Sequence, residues 1–251
     1  MRIAVVMPAW NEADGIEEFI RELHDQLKDW SPEFIVVDDC STDGTKDVLR
    51  VLRETGFNVT CRTNPQNMGH GPSTLTALRM GLDTDADLIV ALDGDGQFLG
   101  SDVASLVNIA ASAMPHQPVI EGVRTDRDEP VYRRLISAAT KLLVGLRSRS
   151  MPLDANTPFR VYTRDALSSL IDHIPTNSLI PNLHMSALVR ERNLEIRMVP
   201  VTSRVRRGVS VTGSTWGKIG KLLPNRRLVK FCLRATSEWF NAVRTRSCRR
   251  R

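Results

Sequence analysis

Two aspartates one residue apart follow an apolar run, and they constrain the fold more than any other feature of the chain. Residues 88–92 are continuously apolar, which is typical of a parallel strand covered on both faces. Asp93 and Asp95 come directly after this run. Open α/β folds bind ligands at the carboxyl edge of the sheet, so we expect a ligand site there. Carboxylate oxygens suit Mg²⁺ or Mn²⁺, which commonly join protein carboxylates to substrate phosphates.

The first fifty-two residues repeat this arrangement of a strand and a polar loop twice. Apolar runs predict strands over 3–7 and 34–37, and helical spacing predicts helices over 13–29 and 45–52. The first strand ends in Pro-Ala-Trp-Asn-Glu, and the second in Asp-Asp-Cys-Ser-Thr-Asp-Gly. Because β-α-β crossovers are right-handed in nearly all cases, the three strand ends should line one crevice. We therefore predict an α/β fold with a mostly parallel, Rossmann-like sheet and flanking helices.

The sequence also argues against other phosphate-binding folds. No G-x-G-x-x-G follows the first strand, and no G-x-x-x-x-G-K-[ST] is present, which argues against a dinucleotide enzyme and a P-loop. A nucleotidyltransferase would share the sheet and the metal site, but it should carry a glycine-rich basic segment where this chain has Pro-Ala-Trp-Asn-Glu. A polar loop that only caps a strand stays open for the aspartates taken alone, since Asp-Gly is a common turn sequence.

Five segments, in unbroken order, resemble a known family. VVMPAWNEADGI, IVVDDCSTDGT, NMGHGPSTLTALRMGL and DLIVALDGDGQF are similar to the nucleotide-sugar half of glycosyltransferase family 2 enzymes, which have the GT-A fold. DANTPFRVYTRDAL resembles a stretch of the dolichyl- and polyprenyl-phosphate mannosyltransferases and their glucosyl relatives. The resemblance implies a metal-dependent hexosyltransferase that moves a sugar from GDP-mannose or a UDP-hexose to a polyprenyl phosphate. Transfer to a sugar hydroxyl of a glycolipid or polysaccharide stays open as an alternative.

The family pattern implies roles for the residues that it matches. Those implied to bind the nucleotide-sugar are Pro8, Trp10, Glu12, Val37, Asp39, Asp93, Gly94, Asp95, Arg124 and Arg204. Those implied to hold Mg²⁺ or Mn²⁺ are Asp93, Asp95 and Gln97. Those implied in catalysis are Asp93, Asp95, Arg124, Asp154, Arg206 and Arg207.

Several of these roles have a simple chemical reason. The carboxylate of Asp39 would accept hydrogen bonds from a guanine or uracil edge, and Trp10 offers an aromatic face where the family more often has Tyr. Gly94 lets the backbone approach phosphates closely because it has no Cβ. Arg124 follows the predicted strand 119–123 and would clamp the diphosphate with its bidentate fork. A solvated charge at a strand end is the alternative for Arg124.

The acceptor decides which further residues the chemistry needs. A lipid phosphate is already anionic, so it would need positioning by cations such as Arg134, Arg160 or the arginines of 204–207. A sugar hydroxyl would need a carboxylate base within hydrogen-bond reach. Asp154 is the first candidate for that base, and capping the turn into the predicted strand 159–162 is its alternative role.

Three places depart from the family pattern or leave a role open. Polyprenyl-phosphate glycosyltransferases tend to have an arginine, a short gap and Gly-x-Ser-Lys in a mobile loop, but both Gly-containing triplets of 202–216 lack the lysine. His184 and Ser186 stand where relatives often place a glutamate. His70 lies between two glycines, where it would either touch the nucleotide or be a plain loop residue.

Charge separates the chain into an acidic body and a basic tail. Residues 202–251 carry fourteen Lys or Arg against Glu238 alone, while residues 1–201 have a net charge of −8. We predict a catalytic domain over 1–201, an active-site loop over 202–216 and a basic amphipathic helical segment over 217–251. Nucleic acid is disfavoured as a partner because the acidic crevice would repel phosphate in the absence of metal.

The helix predicted over 226–244 has an apolar stripe of five residues that three more widen. The stripe contains Leu228, Phe231, Cys232, Ala235 and Trp239, and it is widened by Val229, Leu233 and Phe240. A basic helix with this pattern is typical of an anionic membrane surface. A helix packed on the catalytic domain is the alternative, and a membrane-protein partner is a further possibility.

Localisation is predicted from what the chain lacks. Four scattered cysteines without metal spacing favour a reducing compartment, and no apolar stretch reaches the length that crosses a bilayer. We therefore expect a cytoplasmic protein held at the cytosolic face of a membrane.

Overall fold

A seven-stranded β-sheet with helices on both faces is the centre of the described part of the chain. The computed structural model describes residues 1–114, 116, 118–125, 131–207 and 226–249. The strands are β1 (Ile3–Ala9), β2 (Glu33–Asp38), β3 (Val59–Thr63), β4 (Leu88–Ala91), β5 (Val119–Arg124), β6 (Arg160–Thr163) and β7 (Ile196–Val201). The helices are α1 (Ile16–Leu27), α2 (Thr45–Glu54), α3 (His70–Leu82), α4 (Gly100–Ser112), α5 (Val131–Ser148), α6 (Arg164–Ile171), α7 (Pro181–Glu191) and α8 (Arg226–Arg249).

The strand order confirms the predicted crevice. It is β3-β2-β1-β4-β6-β5-β7; β6 runs antiparallel to both of its neighbours, and the other pairs of this sheet are parallel. Strand β1 lies between β2 and β4 and is parallel to both. The polar loops that follow these three strands therefore meet at one carboxyl edge, as predicted for an α/β fold with a mostly parallel sheet.

Both faces of the sheet are covered by helices, which explains why its central strands are continuously apolar. Alternate residues of β1 enter different clusters, with Val5 and Met7 on the side of α1, α2 and α4, and Ala4 and Val6 on the side of α3, α6 and α7. All seven residues of β1 are buried. This is the pattern expected of strands buried on both faces.

Most predicted element boundaries are close to those observed, and two differ for physical reasons. Helix α1 begins at Ile16 instead of residue 13, because the carbonyl of Glu12 accepts hydrogen bonds from the backbone N–H groups of Gly15 and Ile16 in a turn. The first strand continues to Ala9, because its pairing with β2 extends as far as Asp38.

Helix α8 packs on the catalytic domain through the predicted apolar stripe. Trp239 is buried; its ring stacks on His184 at 5.3 Å and lies 4.8 Å below the guanidinium of Arg147. Glu238, the one acidic residue of the tail, accepts hydrogen bonds from Ser178 and from the backbone N–H of Leu179 and pairs with His184. Of the two interpretations left open for this stripe, the packed helix is therefore the one observed at Trp239 and Ala235, which are buried.

His184, which stands where relatives often place a glutamate, lies with its Nε2 3.0 Å from Oε1 of Glu238. Among the described residues, no helix combines the length and the apolar character that crossing a bilayer requires.

Candidate active site

The Asp93–Asp95 segment lies against the end of β1. The backbone N–H of Gly94 donates to the carbonyl of Pro8 at 3.2 Å, and a Cβ at Gly94 would come within 2.9 Å of that oxygen. The glycine is therefore required by its contact with β1, a reason that the sequence did not reveal. Gly96 has a positive φ of 68° and turns the chain so that the backbone N–H of Gln97 donates to the carboxylate of Asp95 at 3.1 Å.

The loops after β1 and β2 are joined by side-chain hydrogen bonds. The Asn11 amide oxygen accepts from the backbone N–H of Thr42 at 2.9 Å, and the backbone N–H of Asn11 donates to Ser41 at 2.9 Å. The backbone N–H of Glu12 donates to the Thr45 hydroxyl at 2.9 Å. The Ser-Thr-Asp-Gly-Thr motif thus fixes the position of Glu12, which is a structural role that the family resemblance did not assign.

Asp39 holds the loop before α3. Its carboxylate accepts hydrogen bonds from the Asn64 side chain and from the backbone N–H groups of Met68 and Gly69, each at 2.8 Å. The residue is buried, as is Val37. Their contact with the nucleotide base stays a prediction. Asp39 has a further structural role, because the loop that it holds places His70 at the start of α3.

His70 lies beside Asp93, the first of the two aspartates. Its Nε2 lies 3.5 Å from Oδ1 of Asp93. His70 is the first residue of α3 and not a loop residue, and its contact with a nucleotide stays a prediction. The Gly-His-Gly motif was the available signal, but only the three-dimensional proximity of α3 and β4 gives it meaning.

The segment after β7 crosses the Asp93–Asp95 loop. Backbone N–H groups of Arg204 and Arg207 donate to the carbonyls of Gln97 at 2.9 Å and Asp95 at 3.0 Å, and Ser203 forms an antiparallel bridge with Phe98. Residues 202–207 are therefore part of the site. Residues 208–216 of the predicted loop lie outside the described residues.

The three arginines of this segment have different partners. Arg204 donates to the carbonyl of Gly96 at 2.7 Å and pairs with Glu22 of α1 at 2.6 Å. Arg207 pairs with Glu18 and Glu22, also on α1. Arg204 and Arg207 are thus anchored to α1, while the guanidinium of Arg206 pairs with the carboxylate of Glu12 in the crevice.

Negative charge accumulates in the crevice. Burial, followed by repulsion from Asp93, raises the pKa of Asp95 to about 6. Burial also raises the pKa of Glu12 to about 7, with Asp95 and Asp93 adding to the shift and Arg206 opposing it. Burial is the main cause of both shifts, and a cation bound beside these carboxylates would favour their charged forms.

The residues fit a divalent cation that takes some of its ligands from the protein and the others from a substrate. Asp93 and Asp95 are half-buried at the crevice and offer carboxylate oxygens, the ligands that Mg²⁺ and Mn²⁺ prefer. The described part of the chain contains no cluster of three or more His, Cys, Asp or Glu suited to a metal. A cation held here would therefore take its remaining ligands from elsewhere, such as phosphate oxygens, water or the predicted Gln97 side chain.

Arg124 and Asp154 form a pair at the same edge of the sheet. Arg124 ends β5, and its Nε lies 3.2 Å from Oδ2 of Asp154. The buried Asp154 also accepts from the backbone N–H of Asn156 at 3.3 Å, so it does cap the turn before β6. Strand β6 separates β5 from β4, and the pair therefore lies beside the Asp93–Asp95 loop and not within it.

Arg160 cannot position an acceptor. Its side chain is fully buried and pairs with Glu121 at 3.1 Å, and Glu121 also pairs with Arg190 of α7 at 2.8 Å. Although burial alone would raise the pKa of Glu121, the two guanidinium groups hold it below its ordinary value. The prediction for Arg160 is wrong because β6 turns this side chain into the layer between the sheet and α7.

Comparison with known proteins agrees with this arrangement. Residues 4–174 match the model of Glycosyl transferase family 2. The chain belongs to this family. It is 25% identical over 232 residues to the undecaprenyl-phosphate mannosyltransferase of Micrococcus luteus, covering 90% of this chain and 92% of that one. It is 22% identical over 214 residues to the UDP-N-acetylglucosamine–dolichyl-phosphate N-acetylglucosaminyltransferase of Methanococcus voltae, covering 79% and 84%.

Solved structures show the same fold. Glucosyl-3-phosphoglycerate synthase from Mycobacterium tuberculosis, in complex with Mn²⁺, UDP and glucosyl-3-phosphoglycerate, superposes with a TM-score of 0.63 at 20% identity, covering 96% of this chain and 79% of that one. A mannosyltransferase from Pyrobaculum calidifontis, in complex with GDP-Man and Mn²⁺, gives 0.59 at 23%, covering 83% and 58%. The predictions of the GT-A fold and of a family 2 hexosyltransferase are thus confirmed.

Proposed function

We propose that this glycosyltransferase moves a hexose from a nucleoside diphosphate sugar to a polyprenyl phosphate, with Mg²⁺ or Mn²⁺ bound at Asp93 and Asp95. The observation that carries the proposal is the pair of carboxylates, Asp93 and Asp95, that the loop after β4 places at the carboxyl edge of the sheet beneath the 203–207 segment. The two relatives from M. luteus and M. voltae, which are named for undecaprenyl and dolichyl phosphate, support the acceptor.

Each part of the crevice has its own role in this proposal. Trp10, Glu12 and Asp39 frame the nucleoside, while Asp93, Asp95 and the predicted ligand Gln97 hold the cation. The bound cation would stabilise the charge that develops on the leaving diphosphate. Arg206 is the arginine that can reach the diphosphate, because the other two are anchored to α1.

The Arg124–Asp154 pair favours a phosphate acceptor over a sugar hydroxyl. A general base must reach the proton that it removes, yet the Asp154 carboxylate is buried and engaged by Arg124 and the Asn156 backbone. A lipid phosphate needs no such base, because its oxygen is already anionic. Arg124, which pairs with Asp154 at this edge of the sheet, would then provide positive charge near that oxygen. Arg134, exposed on α5, stays a further candidate.

The place of action follows from the acceptor. A polyprenyl phosphate lies in a bilayer, so we propose that the chain works as a peripheral protein at the cytosolic face of a membrane. Residues 1–201 form the catalytic domain, 202–216 the active-site loop and 217–251 the basic segment that contacts the anionic surface or a membrane protein. Lys230 and Arg234, both exposed on α8, support this assignment of the tail.

A donor and acceptor panel tests the proposal. The full chain is incubated with Mn²⁺, a water-soluble short-chain polyprenyl phosphate and labelled GDP-mannose, UDP-glucose or UDP-N-acetylglucosamine. We expect label in the lipid product with one donor, and none when a chelator replaces Mn²⁺. The shift in melting temperature with each of the same donors identifies the nucleotide base that the protein prefers. If no donor gives product or a shift in the presence of metal, the proposed function is wrong.

A further inference from the structure

Helix α5 presents its apolar residues to the outside of the molecule. Val131, Leu135, Leu142 and Leu146 are 70%, 66%, 53% and 73% exposed, and their spacing of four, seven and four residues places them on one stripe. Val144, on the opposite side, is fully buried. A helix that packs on a water-soluble domain normally turns its apolar stripe inward, so the exposed stripe of α5 needs a partner.

Exposed apolar residues also occur directly after α5 and on the neighbouring α8. Met151 and Leu153, which follow the helix, are both more than half exposed. On α8, the residues predicted to widen the apolar stripe remain exposed: Val229, Leu233 and Phe240. Helices α5 and α8 are neighbours, because Arg147 of α5 covers the ring of Trp239 of α8 and both helices share a core cluster with α7.

The two helices of this surface carry an excess of basic residues. Helix α5 contains four Lys or Arg and no Asp or Glu. Helix α8 contains a single acidic residue, Glu238, and that carboxylate is turned inward to Ser178 and His184. Two copies of such a surface would repel each other, whereas an anionic bilayer interface offers both an apolar layer and opposite charge.

This surface also adjoins the proposed acceptor end of the site. The exposed Leu153 directly precedes Asp154, whose carboxylate pairs with Arg124 at the carboxyl edge of the sheet. We propose that the outward stripe of α5, with Met151, Leu153 and the exposed apolar residues of α8, is the surface that seats in the interface of an anionic bilayer. It would bring the Arg124 end of the site to the level of lipid headgroups. The inference rests on the proposed lipid acceptor for its purpose, but not for its geometry.

Vesicle binding by the full chain tests this surface. The variant Leu135→Gln/Leu142→Gln/Leu146→Gln is compared with wild type in flotation with vesicles of phosphatidylcholine and phosphatidylglycerol. We expect its partition coefficient to fall at least about tenfold, since each leucine would lose its burial in the interface. The matched control, Val51→Gln/Met198→Gln, changes two exposed apolar residues far from α5 in sequence and should bind like wild type.

Folding and oligomeric state are measured with the same variants. The three leucines are more than half exposed, so the melting temperature should stay near that of wild type. The single variant Leu146→Gln, at the most exposed position, provides a milder second test and should show a smaller loss. The inference is overturned if wild type does not bind the vesicles, or if both leucine variants bind as wild type does. It is also overturned if only dimerisation is lost, because the surface would then join two copies.

A separate readout distinguishes this inference from the proposed function. Without vesicles, transfer to a water-soluble short-chain polyprenyl phosphate should be equal in wild type and the triple variant. If neither protein transfers sugar but the triple variant still loses vesicle binding, the bilayer surface stands and the proposed acceptor is wrong. If transfer in solution is intact and vesicle binding is unchanged, the function stands and the surface is wrong.

Discussion

Arg206 and Glu12 form an ion pair that joins the 203–207 segment to the crevice itself. The same carboxylate has its pKa raised to about 7, mainly by burial. A donor diphosphate entering the crevice would compete with Glu12 for the guanidinium, and the pair would then separate. Arg204 and Arg207 are not available in the same way, because Glu22 holds both.

Substitution of Arg206 and Arg207 should distinguish an arginine that contacts the diphosphate from one that only anchors the 203–207 segment to α1. We expect Arg206→Ala to lower kcat/KM for transfer by about 10²-fold, the loss typical of one electrostatic contact to a developing charge. Arg207→Ala should also impair transfer, but less, because it loosens the segment through Glu18 and Glu22 and removes no contact in the crevice. Steady-state kinetics with the soluble acceptor measures both. Equal losses in the two variants would contradict the assignment.

The residues of the site were predictable where one strand end determines their position. Asp93 and Asp95 follow β4 directly, so an apolar run and the rule for parallel sheets were sufficient. The choice among Arg204, Arg206 and Arg207 was not predictable, because it depends on Glu22, which lies about 180 residues earlier in the chain. The burial of Arg160 was likewise invisible, since it depends on Glu121 of the neighbouring strand.

At the scale of elements, α8 is held to the domain by one carboxylate as well as by Trp239. Glu238 accepts from Ser178 and Leu179 and pairs with His184. Burial alone would raise the pKa of Glu238, but these partners hold it below 4.5. A group whose pKa is lower in the folded state stabilises the fold above its unfolded pKa, and this contribution is lost as the pH falls through the folded value.

Glu238→Gln should therefore destabilise the protein in a pH-dependent way. Near pH 7 we expect a loss of about 1.5–3 kcal/mol in the free energy of unfolding, the range for hydrogen bonds to a charged group. The difference from wild type should shrink as the pH falls below the ordinary range of a glutamate and through the lowered pKa of Glu238, where the folded carboxylate takes up its proton. Chemical denaturation across this pH range gives both quantities.

The control for this prediction is Glu195→Gln, which removes an exposed pair with Arg197 and should cost well under about 1 kcal/mol. A Glu238→Gln variant as stable as wild type near neutral pH would show that this carboxylate does not hold the helix.

The sequence predicted the elements whose burial is visible in their own residues. It did not predict features that depend on a partner elsewhere in the chain. Strands β1, β2 and β4 are buried on both faces, so their apolar runs were sufficient. The direction in which α8 turns its stripe was left open, because periodicity shows that a helix has an apolar side but not which partner covers it. The outward stripe of α5 has the same cause: its sequence pattern is equally consistent with a helix packed inward.

At the scale of the whole molecule, the chain has an acidic part that contains the site and a basic C-terminal tail. The net charge of −8 over residues 1–201 includes the acidic crevice, while the tail carries the excess of basic residues. A basic surface near an anionic leaflet gains roughly 1 kcal/mol for each Lys or Arg. Exposed charges are screened by salt, so the contribution of the tail should depend on ionic strength.

Neutralising the exposed basic residues of α8 tests that contribution. Lys230→Gln/Arg234→Gln should weaken binding to anionic vesicles, and the difference from wild type should become smaller as salt is raised. Transfer to the water-soluble acceptor should be nearly unchanged. Lys46→Gln/Arg53→Gln, two exposed basic residues of α2, is the matched control and should bind as wild type does. Equal vesicle binding by the α8 variant and wild type would remove the tail from the membrane account.

The central claim is that Asp93 and Asp95 hold a divalent cation that the donor needs. The most direct test is a calorimetric titration of the full chain with the nucleoside diphosphate of its donor. The titration is done once in Mn²⁺ and once in a chelator. We expect wild type and the control Asp85→Asn, which changes an exposed carboxylate, to bind with Mn²⁺ and to lose that binding in the chelator. Asp95→Asn should remain folded but show no metal-dependent binding. Equal nucleotide affinity for wild type and Asp95→Asn, with and without metal, would contradict the claim.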